Sequence, residues 1–302
     1  MLQHGLVQAS FVPPAEVREL RDLTRYRATL VEEGARVVNR IEKVLEDANL
    51  KLASVVTDIL GVSGRAILAS IVRGEEDPER LAEMARCRLR AKLPALREAL
   101  RGRVTEHHRF LLRRLLEHVR FVESEIAKLE ERIAEQMRPF QKEVELWSSM
   151  PGVNQVAAWS MVAELGPGLT AFPSEQHLSS RAGMCPGSDE SAGKRRSGKM
   201  RKGNPWVRRM LCQVGWGAAR TRGTYLSAKY HRIAARRGKK RAIIAVAHNV
   251  LVIGFHLIRN QCRYHELGPD YFDQLHRCRL ERYLVRRLEG LGNQVVLQPL
   301  HP

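Results

Sequence analysis

Ser191 lies in the run Asp189-Glu190-Ser191-Ala192-Gly193-Lys194-Arg195-Arg196, a hydroxyl with small neighbours followed directly by cations. Alanine and glycine leave the hydroxyl accessible, and the cations could steady the charge of a pentavalent phosphate. That chemistry is phosphoryl transfer with serine as the nucleophile. The same residues suit a plainer role, a serine that hydrogen-bonds a phosphate without attacking it, and spacing alone favours the plainer role.

Charge is concentrated around this serine. From Arg181 to Arg241 there are 18 Lys and Arg against Asp189 and Glu190 alone, so this segment carries +16 (18 minus 2) of the chain's net +18. A solvated face does not concentrate one sign so strongly, whereas a nucleic-acid footprint does. The candidate phosphate contacts are Lys194, Arg195, Arg196, Lys199, Arg201, Lys202, Arg208, Arg209, Arg237, Lys239, Lys240 and Arg241. Trp206, Trp216 and Tyr225 are interleaved among them and can either stack on bases or anchor a core; Trp216 is expected in the core.

A second phosphate-binding candidate precedes the basic segment. In Ser149–Leu165, Pro151-Gly152-Val153 forms a tight turn between two helices. Such an element resembles a helix-hairpin-helix, in which the turn amides of Gly152 and Val153 and the following helix N-terminus can hold a phosphate. A purely structural helical hairpin fits the same residues.

The elements that must position these groups are mainly helical. After Pro13-Pro14, the apolar stripe Leu20, Leu23, Leu30, Val37, Ile41, Val44 predicts a long amphipathic helix ending near Asn49–Leu50, with Arg27 and Gly34 at its weak points. Shorter helices follow, punctuated by Gly61, Gly64 and Gly74, and Asp77-Pro78 starts another. Leu112, Leu115, Val119, Val122, Ile126, Leu129 and Ile133 step by alternate threes and fours, a heptad seam. This seam fits a coiled coil between subunits and a pairing with the first long helix equally well. Pro139 ends it, and composition changes near Trp147. The segment Ser179–Trp206 is too polar for a core and reads as a long ordered loop or a pair of short strands.

Several classes are disfavoured. The five cysteines have no zinc or disulfide spacing, so no metal site is expected in this chain. Met1–Ser10 lacks a basic start and a continuous apolar run, so a signal peptide is not expected there. The apolar run Ala242–Ile258 contains His248, Asn249 and His256 and is short for a membrane span, so a buried core helix is expected and no membrane partner.

Read in order, Pro151-Gly152-Val153, Ala163-Glu164-Leu165-Gly166, Arg181 to Gly187, Glu190 to Lys194, Lys202-Gly203-Asn204, Val207-Arg208-Arg209, Gly223 to Leu226, Arg236 to Ala242 and Gly268 to Asp273 resemble the C-terminal domain of the IS110 family of insertion-sequence transposases. The resemblance spans about 150 residues, and the preceding long helices resemble that family's coiled-coil region. It implies a DNA recombinase in which Ser191 attacks DNA and forms a phosphoserine link, with Ser188 and Ser197 as the alternatives in the same loop. It also implies a structured guide RNA, a dimer or tetramer, and a cytoplasmic, nucleoid-associated location in a bacterial cell. Family members carry an N-terminal RuvC-like domain whose four acids hold metal. Here Met1–Val7 resembles the helix just after that domain, so a truncated chain is expected, with magnesium only where the missing domain is supplied.

The expected architecture is therefore mainly α: residues 1–145 as a remnant helix plus a coiled-coil oligomerisation region, and residues 146–302 as a helix-hairpin-helix-containing serine transposase domain. The rival function is a non-catalytic nucleic-acid-binding remnant, or a regulator of full-length transposase.

Overall fold

The computed structural model describes residues 12–185, 187, 190–195, 199–275 and 277–298. The protein is mainly α, and its contacts divide it into two compact units, Asp22–Glu135 and Met1–Arg21 with Gln136–Pro302. The sequence reading placed a single boundary near 145; the division by contacts assigns the start of the first helix to the C-terminal unit.

In the unit Asp22–Glu135, α1 (Ala15–Asp47) and α6 (Glu106–Met137) run antiparallel. Arg27 Nε donates to Glu130 at 2.8 Å, His118 lies 3.2 Å from Glu33, and His108 lies 3.0 Å from Asp47. The heptad seam faces α1 of the same chain: Leu112, Val119, Val122 and Ile133 are buried, and Leu115, Ile126 and Leu129 are half-buried. The two weak points of the α1 stripe are used in this pairing. Arg27 reaches Glu130, and a Cβ added to Gly34 would sit 3.7 Å from Val122.

Four short helices close one end of this hairpin: α2 (Leu52–Val55), α3 (Val62–Arg73), α4 (Pro78–Glu83) and α5 (Leu93–Ala99), with a 3-10 turn at Cys87–Lys92. Their Leu52, Ile67, Leu68, Ile71, Leu81 and Leu96 join Val37, Ile41 and Leu45 in one core. Gly74 ends α3 at φ 103°, and Asp77 caps α4 by accepting the Glu79 N–H at 2.9 Å, as the sequence signals require. Gly64, expected to punctuate the short helices, lies inside α3, where a Cβ would collide with the backbone of Ile59.

The C-terminal unit is built on α12 (Lys239–Asn260). Around it pack α7 (Gln141–Ser148), α9 (Glu175–Arg181), α10 (Pro205–Arg220) and α11 (Tyr225–Arg237), while α8 (Gln155–Leu165) packs on α7 and α10. The helix α12 is long and apolar enough to cross a membrane by length and composition, yet Ala242, Val246, Ala247, Val250, Leu251 and Ile258 are buried in this core. The structure buries α8 nearly all round, from Ala157 to Leu165 except Ser160, which makes it the central layer between α7 and α10. Two short helices, α13 (Tyr271–Leu275) and α14 (Arg277–Glu289), complete the chain. The proposed remnant helix at Met1–Val7 lies outside the described residues.

Candidate nucleic-acid interface

Ser191 is carried on a projecting β-hairpin. At its base the Asn204 N–H donates to Arg181 O at 2.9 Å, then Arg201 N–H to Cys185 O at 3.2 Å, and Gly187 N–H to Lys199 O at 2.8 Å. Towards the tip, β1 (Glu190–Ser191) pairs antiparallel with β2 (Lys194–Arg195), placing Ser191 opposite Lys194. The loop between them has only two residues, Ala192 at φ 51° and Gly193 at φ 72°. Two successive left-handed residues match the right-handed twist of the flanking strands, the geometry of the tightest hairpins. Cross-strand partners share a face, so Ser191 and Lys194 project from the same side, both exposed. Arg196, Ser188 and Ser197 lie outside the described residues.

The base of the hairpin is a close backbone contact. Gly183 and Gly203 touch, and neither has room for a Cβ. Arg208, a predicted phosphate contact, is half-buried beneath Gly183 and donates to Arg201 O at 2.5 Å, so its guanidinium braces the hairpin. Asn204 joins the hairpin to α10. Its Oδ1 accepts the Trp206 N–H at 3.0 Å, and its Nδ2 donates to the buried Glu164 carboxylate at 2.6 Å. Glu164 also faces Arg21 at 3.7 Å, while Arg21 donates to the carbonyls of Ala163 and Glu164. Asn204→Ala is expected to cost about 2–3 kcal/mol, a lost cap plus a lost hydrogen bond to a charged group. Urea unfolding of the variant checks this.

The helix α10 turns a stripe of Trp206, Arg209, Gln213, Trp216 and Arg220 outward, residues spaced three and four apart on one face. Arg209 sits over the Trp206 ring at 5.2 Å and Arg220 over the Trp216 ring at 5.9 Å. Trp216 was expected in the core; it is 40 % exposed, because the buried face of α10 is instead Val207, Leu211, Val214 and Ala218. The stripe is legible in the helical spacing of these residues, though not in any one of them taken singly.

The remaining predicted cations are exposed: Lys199, Arg201 and Lys202 on the hairpin, and Arg237, Lys239, Lys240 and Arg241 at the α11–α12 corner. No side chain caps the α12 N-terminus at Gly238. Three cations at that end oppose the helix dipole, which favours anions there.

The Pro151-Gly152-Val153 turn is placed differently. Gly152, at φ 84°, packs its Cα on the α10 backbone at Val214 and Ala218, and Val153 is buried. The turn therefore docks α8 onto α10. Asn154 caps α8 by accepting the Ala157 N–H at 2.9 Å.

The Gly223–Leu226 and Gly268–Asp273 motifs meet each other. Tyr225 stacks on Phe272 at 5.1 Å and meets Tyr271 edge-on at 5.3 Å. Glu266 accepts the Tyr225 N–H at 2.7 Å and the Tyr264 hydroxyl at 3.2 Å; burial first, then this carboxylate, pushes the Tyr264 phenol well up. Burial lowers the Lys229 ammonium, and burial and then Lys229 lower His248. Among the described residues no three His, Cys, Asp or Glu side chains are grouped to hold a metal ion.

A search of the curated proteins finds no match to this chain. Residues 144–232, from α7 into α11 and all within the C-terminal unit, match the family model described as Transposase IS116/IS110/IS902 family.

Proposed function

We propose that this protein is a DNA transposase or recombinase of an insertion sequence, whose C-terminal unit holds DNA and a structured guide RNA and presents Ser191 to a phosphodiester. The observation that carries the reading is the +16 of the sequence between Arg181 and Arg241, the stretch that runs from the end of α9 to the first turn of α12. Phosphate contacts supply affinity, and the Trp-Arg stripe suits stacking on unpaired bases. In the proposed step Ser191 Oγ forms a new P–O bond while a sugar oxygen leaves and takes up a proton; one phosphodiester replaces another.

A RuvC-like domain would contribute acids for magnesium. Among the described residues no such set of side chains is grouped. Dimers or tetramers and a nucleoid-associated location belong to the same proposal.

Replacing Lys239, Lys240 and Arg241 together by serine is expected to raise folding stability by about 1 kcal/mol, because three cations leave the positive end of α12. The same change should weaken binding to duplex DNA and lower the salt slope of log K by about 2–3. Thermal melts and salt titrations read the two effects separately. Unchanged affinity with a flat salt response in the parent protein would sink the reading.

A further inference from the structure

A cleft of about 390 Å³ opens in the Asp22–Glu135 unit, between the chain at 55–64 and the turn at 86–92. Arg86, Arg88 and Lys92 line one wall; Thr57, Ser63 and the first turn of α3 line the other. Residues 86–103 hold seven Lys and Arg against Glu98 alone, a second concentration of charge that the larger one at 181–241 overshadows. Some of these cations are committed: Arg90 faces Glu83, Arg97 faces Glu79, and Arg101 faces Glu98. Arg86 and Arg88 are exposed and have no ion-pair partner among the described residues. Lys92 donates to Val55 O at 3.3 Å, which leaves its other N–H groups free.

The lining carries one carboxylate, Asp58, whose Oδ1 accepts the Leu60 N–H at 2.9 Å. Ser63 Oγ accepts the Arg86 N–H at 3.0 Å, so its own proton is available to a ligand. Between the two arginines Cys87 takes a left-handed φ of 50°. Non-glycine residues in that region are uncommon and cluster where a local arrangement serves a site. The lining holds Arg86, Arg88 and Lys92 against Asp58, a net +2, which favours an anion over the carboxylate's repulsion.

We propose that this cleft binds the phosphodiester backbone of a nucleic acid, at a second site separate from the C-terminal interface. The site lies outside the stretch matched by the transposase family model and goes beyond the reading of the C-terminal unit. Two sources share the chemistry, duplex DNA and RNA.

Cys87 is exposed in the cleft wall and reports occupancy directly. The full chain is treated with N-ethylmaleimide alone, with saturating duplex DNA, or with RNA of matched length, and alkylation is read peptide by peptide. Slowed modification of Cys87, with exposed Cys278 unaffected, is the expected result; DNA or RNA protection identifies the source. In a variant carrying Arg86→Glu, Arg88→Glu and Lys92→Glu, affinity for that nucleic acid should fall about tenfold and the salt slope by about two. Equal Cys87 alkylation with and without either nucleic acid, in a protein that binds both, overturns the proposal while leaving the C-terminal reading intact. Cys87 protection that persists when Lys239, Lys240 and Arg241 are serine supports the cleft independently of that reading.

Discussion

Ser191→Ala is expected to abolish covalent protein–DNA product while leaving DNA affinity nearly unchanged. The expectation follows from where the hydroxyl sits. It is exposed at the last pair of a two-residue hairpin and makes no packing contribution that alanine would lose. Its cross-strand partner Lys194, and the cations around it, remain to hold phosphate after the change. The assay supplies a full-length relative bearing a RuvC-like domain together with element-end DNA, and detects adducts that survive detergent denaturation. Wild type should form an adduct and Ser191→Ala none, whereas Ser188→Ala and Ser197→Ala should retain it. Adduct at wild-type level in Ser191→Ala would remove the serine from the chemistry. A binding-only role would then be the surviving reading, in which the chain acts as a regulator of active transposase.

Gly254→Ala should destabilise the C-terminal unit by about 3 kcal/mol, although alanine in an ordinary helix interior gains about 1 kcal/mol over glycine. A Cβ at this point of α12 would overlap three ring atoms of Trp147 on α7. Trp147 is 1 % exposed and has nowhere to move. Trp147→Phe removes the overlapping part of the ring, and its indole N–H has no hydrogen-bond partner among the described residues, so no polar group is orphaned. The double variant should therefore be more stable than the sum of the single losses implies, by about 2 kcal/mol of coupling. Denaturant unfolding of the four proteins measures this. Additive losses would mean that α7 and α12 do not meet through this pair.

How much of this was legible beforehand depends on the range of the interaction. Helix periodicity and capping are local, and the long stripes of α1 and α6, the Asp77-Pro78 start and the apolar run of α12 all emerge as helices near their expected places. Composition is also local, so the basic segment and its candidate serine could be read directly from residue types. Partner choice is not local. The heptad seam of α6 was compatible with another subunit or with α1, and only the antiparallel contacts Arg27–Glu130 and His118–Glu33 assign it to α1 within the chain.

The same limit applied to glycine and tryptophan. Gly152 signals a turn in any sequence, but whether its amides face solvent or its Cα packs on α10 depends on residues some sixty positions away. Trp216 is apolar enough for a core, yet the α10 face bearing it is turned outward because Val207, Leu211, Val214 and Ala218 bury better against α12 and its neighbours. What the sequence determined by itself was therefore the set of helices, the charge and the chemical candidates, since each depends on neighbours along the chain. Only the tertiary structure decided which faces meet, which cations brace the hairpin and which stay free for a polyanion, because burial is a property of contacts between distant segments.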